Sequence, residues 1–144
     1  MALSSTAKKR MRDKVFFDTN VLIYMTARGD QRQGRAQQLL EQGGIISVQV
    51  LNEFAAVARR KMRMPWEDVI AALDDIQLLC PSPVPTTLDT HHSALRIALQ
   101  YGFGIYDALV VAAAIEARCT TLYSEDLQDG QVIEKQLRVR NPFS

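Results

Sequence analysis

Lys14-Val15-Phe16-Phe17-Asp18 is a run of large apolar side chains closed by an acid. It is too short and too apolar for a surface helix and reads as a buried strand with a charge at its carboxyl end. Outward from it the chain alternates between strand-like and helix-like patterns. Asn20–Ala27 reads as a short helix. Arg32–Gln42 reads as a second, with Ala36, Leu39 and Leu40 on one face, and Gly43-Gly44 breaks it. Ile45–Val48 is expected as a second short strand. Val50, Leu51, Phe54, Val57 and Ala58 then form a helical stripe that ends at Met64-Pro65.

Pro65-Trp66-Glu67-Asp68 opens the next helix, with proline at the start and acids following, and Val69, Ile70, Leu73 and Ile76 continue it. Pro81, Pro83 and Pro85 mark a loop with a short edge strand around Val84. Thr86-x-x-Asp89 resembles a capping box opening a helix over Leu88–Tyr101, which Gly102 and Gly104 close. Asp107–Glu116 is apolar nearly all round and should be buried. Thr120–Ser124 is expected as a strand, and Val139 with its neighbours as a last edge strand. Strands alternating with helices define an α/β fold: a three-layer α/β/α sandwich on a mostly parallel sheet of four to five strands, with six to seven helices.

The 144 residues suit one domain, and 47% apolar against 23% charged residues is the balance of a globular protein. That excludes wholesale disorder. The longest apolar stretch, Ala108–Ile115, is far short of the roughly twenty residues a membrane span needs. Net charge is +1, so the whole-molecule field points to no partner. Basic residues do cluster, at Lys8, Lys9, Arg10, Arg12 and Lys14, and at Arg59, Arg60, Lys61 and Arg63. The first cluster reads as a flexible basic tail over residues 1–13, ahead of one domain over 14–144. Cys80 and Cys119 have neither CxxC spacing nor a neighbouring His, and read as buried small hydrophobes. No apolar segment resembling a signal peptide opens the chain, and the expectation is a cytoplasmic protein with no membrane association.

The acids carry more. Asp18 ends the first strand, where ligands of parallel sheets bind, although an Asp there also suits a helix N-cap. Asp107 shares a helix face with Val110, Val111 and Ala114, so it points inward. That helix descends roughly 15–18 Å at 1.5 Å per residue, and the following strand returns about 17 Å at 3.3 Å per residue. Asp126 therefore comes back to the rim that holds Asp107 and Asp18. Glu53, flanked by Val50 and Val57, sits roughly 7 Å down its helix from the same rim. Four carboxylates at one rim repel one another, and the simplest compensation is a divalent cation. An all-oxygen set suits Mg²⁺, with Mn²⁺ as a substitute, and such a site suits hydrolysis at phosphorus.

These residues resemble a PIN-domain ribonuclease, and within that group the VapC-like toxins of type II toxin–antitoxin pairs. The matching segments are FDTNVLI at 17–23, QVLNEF at 49–54, Tyr106-Asp107-Ala108-Leu109 and LYSED at 122–126, and the ending RNPF at 140–143 also resembles members of the family. The match spans Lys14 to Phe143, and four motifs in order are specific where each alone is not. The resemblance implies metal-binding and catalytic acids at Asp18, Glu53, Asp107 and Asp126, and small polar residues beside the metal at Asn20, Ser47 and Ser124. The family often follows its fourth acid with an aspartate–aromatic pair; here the continuation is Leu127-Gln128-Asp129-Gly130. Asp129 is therefore the alternative last ligand. The resemblance further implies endonucleolytic cleavage of RNA leaving 3′-hydroxyl and 5′-phosphate ends, a homodimer, and an antitoxin that blocks the site. RNA could lie along the helix carrying Arg59 and Arg60.

Two other readings compete. A PIN-like scaffold could bind RNA or a partner without cutting, though such scaffolds usually lose an acid and this chain keeps all four. A haloacid-dehalogenase-like phosphatase also places an Asp after its first strand and uses Mg²⁺. It needs DxD, where this chain has Asp18-Thr19-Asn20, and a lysine, none of which lies between Lys61 and Lys135. Trp66 and the helix after it read as packing, or as part of a dimer or antitoxin surface.

Overall fold

The computed structural model describes residues 14–144; the tail expected over residues 1–13 lies outside them. Chain order is β1 (Val15–Phe17), α1 (Thr19–Thr26), α2 (Gln33–Glu41), α3 (Val48–Arg60), α4 (Trp66–Leu79), α5 (Leu88–Tyr101), α6 (Ile105–Glu116), β2 (Thr121–Tyr123), β3 (Val132–Ile133) and β4 (Leu137–Arg140). The four strands form one sheet in the order β1-β2-β4-β3, and six helices flank it as a three-layer sandwich. The β1–β2 and β2–β4 pairs are parallel, and the β3–β4 hairpin adds an antiparallel edge.

The first strand is buried because Phe16 and Phe17 point to opposite faces and both faces are covered; each ring is fully buried. The second core layer comes from α6, whose Ala108 and Val110–Ala114 are all buried, as its all-round apolar sequence requires. On the other side, Val50, Phe54 and Ala58 form the buried stripe of α3.

Three expectations need correction. Ile45–Val48 makes no strand: Ile45 bridges Phe16, Ser47 bridges Val84, and the helix already begins at Val48. The cause is Ser47, whose hydroxyl accepts a hydrogen bond from the Val50 N–H at 3.1 Å and so starts α3 early. The strand around Val139 is not an edge. Leu137 and Val139 are fully buried and β4 pairs on both sides, while β3 takes the edge through a tight turn with positive φ at Glu134 and Lys135. The capping box lies one residue later than expected. Thr87 and Thr90 exchange side-chain-to-backbone bonds, and Asp89 is exposed. Thr90 wins because it is buried and its hydroxyl also donates to Glu116 Oε2 at 2.9 Å, tying α5 to α6.

Gly44 has a specific steric role. A Cβ there would stand 2.3 Å from Phe17 Cε2 and 2.9 Å from Val15 Cγ2. Only a glycine lets the chain cross β1 closely enough for Ile45 N–H to reach Val15 O and for Phe17 N–H to reach Ile45 O, at 2.9 and 3.0 Å.

Candidate metal centre

Asp18 follows β1 directly and caps α1, so the strand end and the helix start fix its backbone from both sides. Its N–H donates to Tyr123 O at 3.0 Å across the sheet. One carboxylate oxygen accepts from the Thr19 N–H at 2.7 Å and the other from the Ser124 hydroxyl at 2.7 Å. The residue is 4% exposed. Burial pushes its pKa up from 3.8 to about 7; the two hydrogen bonds oppose this, and the charges of Asp126 and Asp107 reinforce it. Asp18 therefore caps α1 through the Thr19 N–H and also turns its carboxylate toward Asp107 and Asp126.

Asp107 occupies the first turn of α6, after Gly104. Burial raises its pKa first, then repulsion from Asp126 and Glu53. Asp126 follows β2 on an exposed loop. Its pKa is raised by burial and by Glu125, and a 2.8 Å hydrogen bond from Asn20 Nδ2 opposes the rise. The carboxylates of Asp18, Asp107 and Asp126 converge: one oxygen from each lies within 4.8 Å of the others. No ion pair to any of them occurs among the described residues.

Ser124 sets two of these acids at once. Fully buried, it donates to Asp18 and accepts from the Asp126 N–H at 3.1 Å. Glu53 stands beside the trio without joining it, with Oε2 bonded to the Thr19 hydroxyl at 2.8 Å and Oε1 to Gln49 Nε2 at 3.3 Å. Ser47 is spent on capping α3, and Asp129 accepts from the Asn141 N–H at 2.8 Å and is not in the converging group. Arg59 and Arg60 lie at the exposed end of α3, about 9–11 Å along the axis from Glu53 at 1.5 Å per residue.

Two groups escaped the sequence reading. Thr19 holds Asp18 through its backbone and Glu53 through its side chain; its place directly after the strand-ending acid was the available signal. Behind Asp126, Glu125 accepts from the Tyr24 hydroxyl, which itself accepts from Arg32 Nη1 at 2.6 Å. Arg32 also stacks on the Tyr24 ring and pairs with Asp30 at 2.8 Å. Nothing in local spacing joins residues 24, 32 and 125.

The fold and this acidic rim define a class. The PIN domain family model matches residues 15–129, and the chain belongs to the PIN domain family. That assignment replaces the phosphatase reading. Among solved structures, the fold is similar to a toxin–antitoxin complex from Klebsiella pneumoniae (22% identity, TM-score 0.66, covering 90% of this chain and 98% of that one). It is also similar to VapC20 of Mycobacterium tuberculosis, a sarcin–ricin-loop-cleaving toxin (22%, TM-score 0.64, 77% and 88%). A third likeness is to VapBC2 of Rickettsia felis bound to a promoter DNA fragment (19%, TM-score 0.62, 88% and 98%). At these identities the likeness is one of fold. No curated protein matches the chain. No single helix among the described residues is long and apolar enough to cross a membrane.

Proposed function

We propose that this protein is a divalent-metal-dependent endoribonuclease, the VapC-like toxin of a toxin–antitoxin pair, acting in the cytoplasm. The observation that carries the proposal is the convergence of Asp18, Asp107 and Asp126 without a protein cation among them. Three carboxylates whose pKa values are all driven upward lack a counter-charge, and their all-oxygen donor set fits Mg²⁺ or Mn²⁺. Asp18, Asp107 and Asp126 would hold the ion, with Glu53 completing the acidic set. When bound, the ion supplies an activated water and neutralises charge developing on a scissile phosphate.

The chain's own residues do the positioning. Thr19 N–H and the Ser124 hydroxyl fix both oxygens of Asp18, so its carboxylate needs little reorganisation. Asn20 fixes Asp126, and Thr19 with Gln49 keeps Glu53 turned toward the rim. The toxin reading brings an RNA substrate, an antitoxin over the site and a second copy of the chain.

The test is cleavage of a mixed RNA pool with Mg²⁺, with Mn²⁺ and with EDTA. Expected are 3′-hydroxyl and 5′-phosphate ends, silence in EDTA, and a loss of roughly 1,000-fold for Asp107→Asn, equivalent to several kcal/mol of transition-state stabilisation. Full activity in EDTA would refute the metal. RNA binding without cleavage under every metal condition would favour the non-catalytic scaffold.

A further inference from the structure

The turn between α3 and α4 carries an arrangement that the acidic rim does not use. Arg59-Arg60-Lys61-Met62-Arg63 places four cations in five residues. The chain then reverses: Arg63 adopts a left-handed backbone at φ 54°, Met64 N–H bonds back to Ala58 O, and Pro65 caps α4. This return lays Trp66 beside Arg59. The guanidinium carbon sits 4.9 Å over the indole centroid, and Nη1 donates to Met64 O at 3.0 Å. Trp66 is nevertheless 56% exposed, so the packing role expected of it is at most partial. Arg60, Lys61 and Arg63 are exposed and form no ion pair among the described residues. Glu67 and Asp68 follow in the first turn of α4, where the helix N-terminus accommodates their charge.

We infer that Trp66, backed by Arg59 and preceded in the same turn by the exposed Arg60, Lys61 and Arg63, is a stacking platform for an unpaired base of single-stranded RNA. The inference rests on the reading of RNA as substrate. An aromatic face held by a guanidinium offers a preset surface for any base, and the flanking cations match the phosphates on either side. Duplex RNA satisfies the cations and offers no free base face. An acidic peptide likewise satisfies the cations and leaves the indole unused. Glu53 lies on the same helix six residues before Arg59, about 9 Å away along the axis, a span that about two nucleotides of an extended strand would cover.

Trp66 is the only tryptophan in the sequence, so its fluorescence reports this surface alone. The experiment uses full-length Asp107→Asn protein, in which turnover is expected to be too slow to consume substrate during a titration. It is titrated with a twelve-residue oligoadenylate, a duplex RNA of equal length and oligoglutamate, and binding is followed in parallel by anisotropy of labelled RNA. Oligoadenylate should quench the emission and the duplex should not. Trp66→Ala should weaken oligoadenylate binding by about tenfold, and Trp66→Phe should recover most of it. Trp66→Ala should leave the salt slope unchanged, whereas Arg60→Ala/Arg63→Ala should lower it by about 1.4 for two phosphate contacts. Binding with unaltered emission and undiminished affinity in Trp66→Ala would overturn the platform, as would failure of oligoadenylate to bind. Quenching by oligoglutamate equal to that by RNA would overturn it in favour of a protein partner. Quenching by RNA in a wild-type protein that never cleaves would strike the nuclease reading and leave the platform. Cleavage by a wild-type protein whose Trp66 ignores RNA would do the reverse.

Discussion

Replacing Asp18 by asparagine should stabilise the metal-free protein at neutral pH, although it removes a helix-capping carboxylate. The buried Asp18 carboxyl has its pKa raised from 3.8 to about 7, so the folded state holds a proton that the unfolded chain releases. Its contribution is therefore fully present below pH 3.8 and is lost as pH rises through about 7. A rise from 3.8 to about 7, at roughly 1.4 kcal/mol for each tenfold change in proton affinity, makes that loss about 4 kcal/mol. Asparagine stays neutral throughout. Its oxygen can still accept from Thr19 N–H and its amide can meet the Ser124 hydroxyl. The variant should thus match wild type near pH 4 and exceed it by about 2–4 kcal/mol at pH 8, allowing for a weaker cap. With an m-value of about 2 kcal/mol/M, the urea midpoint should rise by roughly 1–2 M at pH 8. The assay is urea unfolding in EDTA at several pH values between 4 and 8. Adding Mn²⁺ should then stabilise wild type, by about 2.7 kcal/mol at a hundred times its Kd, and leave the variant unmoved. A variant weaker than wild type by a constant amount across the pH range would refute the reasoning and leave Asp18 a helix cap only.

Two further outcomes concern the scaffold. Gly44→Ala should destabilise the fold by roughly 1–3 kcal/mol in thermal or urea unfolding, because the new methyl meets the buried Phe17 ring rather than a flexible side chain. Thr90→Ala should cost about 1–2 kcal/mol by opening the capping box and releasing Glu116, and hydrogen exchange should show the start of α5 fraying while β1 stays protected.

Much of this architecture was legible because the signals are local. The apolar run at 15–17 and the all-apolar α6 can be nothing but core, and Pro65 and Gly102 mark helix boundaries by fixed backbone geometry. Where one side chain decides between two local structures, periodicity misled. Ser47 turned an expected strand into a helix start, and the coupling of Thr90 to Glu116 moved the capping box by one residue. The interior place of β4 depends on the neighbouring β3 covering its outer side, and a two-residue strand carries too short a pattern to be read from sequence. The rim itself followed from adding helix descent to strand return, a calculation that places backbones. It could not say that Glu53 would be held by Thr19, or that Asp129 would be occupied by Asn141, because those outcomes rest on side-chain bonds.

The bond from Ser124 to Asp18 joins residues 106 positions apart, and Ser124 is itself held by a backbone bond to Arg140 O. Closing so long a loop is slow, and helices such as α1 and α3 can form well before it. During synthesis, then, the acids exist on an emerging chain long before they face one another. Residue 140 holds Ser124 in place, so a chain interrupted between Asp126 and β4 carries every acid without the strand that braces them. Completion of the site is in this way tied to completion of the sheet, and the timing of any activity is written into the strand order.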